Sequence, residues 1–175
     1  SCLDTHVTAC VEDYLVHFLK EAISDRHMEE KEAFELAKKV VHSTNTLLLP
    51  DDLHHLSKSG RLSRTAASIG TFFNIKPLLA INEKTLGRID VVAKVRTSKK
   101  VEKMALEIMK QEIKNENYVI YLAHVDCFAR AAIFKEEAKK IFPKNRIEII
   151  PLCSPVALHT GLGCLAIQYF EQITL

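Results

Sequence analysis

Three short stretches of the chain place chemically capable side chains close together. In the first, Lys58, Arg61 and Arg64 surround Gly60, and the two arginines, three residues apart, share a helix face. An anion can dock at such a corner, because a helix starting after Gly60 offers unpaired N–H donors and positive partial charge. On spacing alone the same residues read more simply as a solvated corner with exposed arginines. In the second, His159-Thr160-Gly161-Leu162-Gly163 precedes a terminal apolar run. Paired glycines permit positive φ or a close backbone approach to a ligand, while the imidazole and hydroxyl beside them add a switchable donor and a second polar contact. The stretch lacks the strand and helix context of a dinucleotide site, and a plain turn with an exposed His competes with the ligand reading. The third stretch, His124-Val125-Asp126-Cys127, contains the parts of a metal ligand pair or of a thiol nucleophile with Asp126 as orienter. That would suit a thiol-dependent acyl transferase or hydrolase, although Cys127 reads more simply as a small apolar residue packed in a first helical turn. His54 and His55 are adjacent, diverge by about 100° on a helix and cannot share one metal, so they read as a solvated pair. No carboxylate pair has a spacing suited to acid/base work and no GxSxG elbow is present, so neither a catalytic residue nor a metal site is expected.

Composition narrows the class. The 175 residues are 47% hydrophobic and 26% charged, the balance of a globular domain with a real core. The unbroken apolar run Tyr118 to Ala123 falls far short of the roughly 20 residues a membrane helix needs, so no integral membrane segment is expected. A net charge of +2 with both signs interleaved argues against a nucleic-acid partner, and against a regulatory module binding protein or nucleic acid through Lys58, Arg61 and Arg64. Cys2, Cys10, Cys127, Cys153 and Cys164 are odd in number and show no CxxC spacing, which points to reduced thiols in a cytoplasmic protein. The start, Ser1-Cys2-Leu3-Asp4-Thr5, has no initiator Met and no basic or apolar signal region, and reads as a chain entered partway.

The elements that must position these residues follow from periodicity. Val11, Tyr14, Leu15, Phe18, Leu19 and Ile23 predict an amphipathic helix from Cys10 to about Ser24, and a second is expected over Lys31 to His42. Thr46 to Leu49 reads as a strand stopped by Pro50, with Asp51 capping a helix over Leu53 to Ser59 that Gly60 ends and Leu62 to Phe73 resumes. Lys76 to Ile81 and Arg88 to Val95 form a predicted hairpin. Thr97 or Ser98 starts a helix whose inward stripe is Val101, Met104, Ala105 and Ile108. Tyr118 to Ala123 reads as a strand covered on both faces, Asp126 as the cap of a helix ending near Phe142, and Arg146 to Ile150 and Leu165 to Phe170 as further strands. The expected fold is α/β (α+β), a layered sandwich of a mixed sheet covered by helices.

The run Asp51 to Ser63, DDLHHLSKSGRLS, continuing through Thr65-Ala66-Ala67 to Asn74-Ile75-Lys76-Pro77-Leu78, resembles the signature of the DegV family of fatty-acid-binding proteins. Lys94-Val95-Arg96-Thr97-Ser98-Lys99-Lys100 is similar to that family's basic strand-to-helix segment, and His159 to Gly163 to its C-terminal motif. The resemblance implies a two-domain protein of which residues 1–45 are the connector and the end of a truncated first domain, and residues 46–175 the lipid-binding domain. It implies a long-chain fatty acid whose tail lies in an apolar tunnel of the second domain. The carboxylate would be met by first-domain hydroxyls and by a network reaching Arg61 and His159, with Thr160, Gly161 and Gly163 in the ligand motif. It further implies a non-catalytic, cofactor-free bacterial subunit that presents its acid to a fatty acid kinase catalytic subunit, with Arg64 and Arg96 as partner contacts. Two departures stand out: Ser59 where members have Gly, and Leu162 where they commonly have Pro. Elementary energetics suits this picture. Each buried CH₂ is worth roughly 0.8 kcal/mol, so a greasy slot supplies most of the affinity. The carboxylate then needs charge-assisted donors at the mouth.

Overall fold

Val11, Leu15 and Phe18 recur at helical spacing and form the buried stripe of α1 (Cys10–Lys20), which runs into a single π-helical turn over Glu21–Asp25. α2 (Glu30–Ser43) buries Ala33, Ala37, Val40 and Val41 in the same way. The computed structural model describes residues 5, 6, 8–51, 53–62 and 75–175. Among them lie six strands, β1 (Asn45–Leu49), β2 (Lys76–Asn82), β3 (Asp90–Val95), β4 (Tyr118–His124), β5 (Arg146–Pro151) and β6 (Leu165–Glu171). Four more α-helices, α3 (His54–Lys58), α4 (Ser98–Glu112), α5 (Phe128–Ile141) and α6 (Ser154–Thr160), and a 3-10 turn over Glu83–Thr85 complete the described elements.

The strands form one mixed sheet in the order β3-β2-β1-β6-β4-β5, antiparallel except for β4 beside β5. Because side chains alternate across a strand, each central strand feeds two cores. Leu47, Leu49, Ile120, Leu122, Ile167 and Tyr169 point to α4 and α5, whose Val101, Ala105, Met109, Ala131, Phe134 and Ala138 meet them. Val119 and Phe170 face α1 and α2 on the opposite side, and farther along that side Leu48, Leu79, Ala123 and Ala166 pack under Leu56 of α3 and Leu152. This is the α/β layered sandwich expected of the pattern, and β4 is covered on both faces as its unbroken apolarity requires. At the far end of the sheet, Tyr169 and Asn45 both donate to Glu112 Oε2, at 2.6 and 2.7 Å, fastening the end of α4.

Several local expectations are corrected. Asp51 does not cap α3: the cap position is Leu53, without a side-chain bond, and Asp51 instead accepts from Lys76 Nζ at 2.5 Å. Asp126 does not cap α5 either. It sits at φ +52, and the cap position is Cys127. In α4 the inward stripe is Val101, Ala105 and Met109, leaving Met104 at the surface, while Thr97 caps the helix by accepting from the Lys100 N–H. The expected helix over Leu62 to Phe73 lies outside the described residues except for Leu62, which pairs with Ile89 in an isolated bridge. The helix α6, with Pro155 in its first turn, was not anticipated.

Candidate functional site

Arg61, His159 and Thr160 line one cleft of about 470 Å³. Leu48 and Ile81 of the sheet line it together with Ile89 just before β3, Leu56 of α3, and Pro155 and Val156 of α6. Thr5, His6, Thr8 and Glu12 close the remaining side. The result is an apolar slot with cationic, imidazole and hydroxyl groups along its edge.

Each polar wall has an identifiable support. The Arg61 backbone is clamped, its N–H donating to Ser59 Oγ at 3.3 Å and its carbonyl accepting from the Ile89 N–H at 3.3 Å, while its side chain stays exposed. His159 is half-buried in the last turn of α6, and the Thr160 hydroxyl donates back to the Val156 carbonyl at 3.2 Å. The N-terminal wall hangs on Gln168, a buried amide of β6. It donates to the Thr8 carbonyl and to Thr46 Oγ1, both at 2.8 Å, and accepts from the Val11 N–H at 3.0 Å. Thr5 then donates to Glu12 at 3.2 Å. Sequence reasoning missed this wall, because Thr5, His6, Thr8 and Glu12 have no spacing that points inward until Gln168 fixes the segment.

Gly161 and Gly163 both have backbone conformations with positive φ. Gly161 has φ +80 and ψ 170, a region open essentially only to glycine, and a Cβ there would lie 2.6 Å from His55 Cδ2. Gly163 has φ +76, and a Cβ would meet that of Asp51 at 3.0 Å. Their N–H groups donate within the protein, to the Ala157 carbonyl (2.9 Å) and the Val125 carbonyl (2.8 Å). Neither glycine lines the cleft that holds Arg61. Gly163 lines a separate cleft of about 520 Å³ with Asp51, Lys99, Glu102, Cys127 and Arg130.

A family model described as "Uncharacterised protein, DegV family" matches residues 1–172. The chain belongs to the DegV family. A DegV domain-containing protein of Clostridium perfringens, CPE0026, is 36% identical over 120 residues, which are 68% of this chain and 40% of that protein. Among solved structures, the fatty acid binding DegV family protein SAG1342 from Streptococcus agalactiae superposes with a TM-score of 0.90 at 29% identity, over 99% of this chain and 60% of that one. The Streptococcus pneumoniae Fatty Acid Kinase (Fak) B3 protein loaded with linoleic acid shares the fold, with a TM-score of 0.80 at 22% identity over 97% of this chain and 59% of that one. The chain spans about half the length of the curated relatives it matches.

The departures from the usual DegV pattern have local explanations. Ser59 has φ −75 and ψ −14, ordinary helical values that demand no glycine, and its hydroxyl donates to the Leu56 carbonyl at 2.8 Å. Leu162 is 71% exposed, so the position between the glycines tolerates a side chain of another shape. Arg96 is exposed between β3 and α4, away from the cleft, and Arg64 lies outside the described residues. Among the described residues, no group of three or more His, Cys, Asp or Glu side chains could hold a metal, and no helix is long and apolar enough to cross a membrane.

The thiol reading of the His124 to Cys127 stretch finds no support. His124 Nδ1 accepts from the Cys127 backbone N–H at 3.4 Å, and the Cys127 thiol donates to the Cys164 carbonyl at 3.4 Å. No base therefore holds the sulfur, and burial raises its pKa where a nucleophile needs it lowered. Burial likewise pushes Cys10 up to about 11 and Cys164 to about 12. Iodoacetamide at neutral pH should accordingly label the exposed Cys153 well before Cys10, Cys127 or Cys164, as read by peptide mass spectrometry. Preferential labelling of Cys127 would restore the nucleophile.

Proposed function

We propose that this DegV chain is the lipid-holding part of a cytoplasmic, non-catalytic carrier. It takes a long-chain fatty acid into the apolar slot and presents the carboxylate to the catalytic subunit of a fatty acid kinase, which forms the acyl phosphate. The observation that carries the reading is the convergence of Arg61, His159 and Thr160 on one cleft with an apolar lining. A volume of about 470 Å³ falls within the roughly 300–1,000 Å³ typical of small-molecule sites. The cation and the imidazole are the groups a desolvated carboxylate requires. The fatty-acid-binding relative from Streptococcus agalactiae and the linoleate-loaded Fak B3 protein support the ligand class, and the latter supports the kinase as recipient. Residues 1–45 act as the connector to the first domain, and Arg64 and Arg96 as contacts for the kinase.

Lipids extracted from the purified full-length protein should include a fatty acid of about C14 to C18 by mass spectrometry, a tail of the size one such site buries. Recovery of only the trace lipids found on an unrelated control protein would remove the proposal.

A further inference from the structure

The two segments that carry the site reach it from different strands. Arg61 lies on the stretch leaving β1 after Leu49, whereas His159 and Thr160 lie on the stretch that returns through Gly161 and Gly163 into β6. A single guanidinium bridges both. Arg130 of α5 donates from Nη1 to the Leu49 carbonyl at 3.2 Å and to the Gly163 carbonyl at 2.9 Å. Its Nε donates to Glu102 Oε1 of α4 at 2.8 Å. The two side chains are only 20% and 22% exposed, so solvent screens this pair far less than the surface pairs of the molecule. A planar fork with fixed donor directions suits three acceptors on three separate elements.

We propose that Arg130, oriented by Glu102, is a positioning residue for the carboxylate end of the site. It fixes the distance between the β1 exit that leads to Arg61 and the β6 entrance that follows His159. This rests on the carrier reading above. Head-group donors must be held to within about 0.5 Å to favour a charged ligand end, and the helices that carry the two segments, α3 and α6, are short, at five and seven residues. The Gly161 and Gly163 backbones, in conformations that glycine adopts freely, transmit any slackening at the Gly163 carbonyl directly towards His159.

The test compares palmitate with methyl palmitate, which has the same tail and no charge, on the full chain. Wild type should prefer palmitate. Arg130→Met keeps the aliphatic stem and removes every donor, and should cut that preference about tenfold while leaving the methyl ester affinity unchanged. An R130M protein that retains the wild-type preference, or loses affinity for both compounds equally, overturns the positioning role. If R130M does not fold, Glu102→Gln carries the same comparison with an expected change of about threefold, and an unchanged preference there overturns it. Wild type that binds neither compound sinks the carrier reading and the positioning role with it, whereas a wild-type preference for palmitate that R130M leaves intact overturns the positioning role alone.

Discussion

Replacing Arg61 and His159 together by alanine should weaken palmitate binding at least about a hundredfold, since hydrogen bonds to charged groups contribute roughly 1.5–3 kcal/mol each and every 1.4 kcal/mol is tenfold. The fold should survive. The Arg61 side chain is exposed and its corner is held by backbone bonds to Ser59 and Ile89 that alanine keeps, while His159 lies in the last turn of a helix whose cap bond is made by Gly161. Tail burial, at about 0.8 kcal/mol per CH₂, is untouched, so residual binding of uncharged acyl compounds should persist. Lys139→Ala is the matched control, because Lys139 donates to the Asn145 carbonyl near the start of β5 and lies away from the cleft. Titration calorimetry on the double variant, the control and wild type reads the difference. Equal affinities in all three would dismiss Arg61 and His159 as the head-group contacts.

The second large effect is on stability. Gly161→Ala forces a Cβ into the His55 ring at 2.6 Å and places a non-glycine residue at φ +80, ψ 170. Backbone strain of that kind costs about 1–3 kcal/mol and overpacking about as much again. At roughly 2–4 °C per kcal/mol for a chain of this size, Tm should fall by about 4–24 °C. Gly60→Ala separates the two contributions. Gly60 also has positive φ, +68, but nothing lies within 4 Å of its added Cβ, so that variant should lose only about 1 kcal/mol. Adding His55→Ala to Gly161→Ala should recover the steric share and leave the backbone share. A Gly161→Ala protein melting within about a degree of wild type would show that the loop can rearrange, and that this glycine has no fixed task.

What could be read from sequence, and what could not, follows from the range over which each signal acts. α1, α2 and β4 were legible because local periodicity reports directly on which side of an element is wet. The Arg61 corner and the His159 stretch were legible as types, but their meeting in one cleft depends on β1 and β6 lying side by side, which no spacing within either stretch encodes. Asp51 and Asp126 looked like caps by position, yet tertiary partners won. Lys76 took the Asp51 carboxylate, and the turn at Asp126 turned left-handed one residue before the cap position. The Ser154-Pro155 pair did hold a helix-start signal for α6, hidden by the shortness of the helix. Arg130 was invisible because its acceptors are backbone carbonyls, which every residue possesses.

The place of β6 between β1 and β4 has a consequence for biosynthesis. As the chain leaves the ribosome, β3-β2-β1 and β4-β5 can form only as two half-sheets, each with an open inner edge, until the final strand emerges and zips them together. That insertion carries Gln168 in to anchor the N-terminal wall of the cleft, so a nascent chain has no finished berth for cargo before the middle of its sheet is filled.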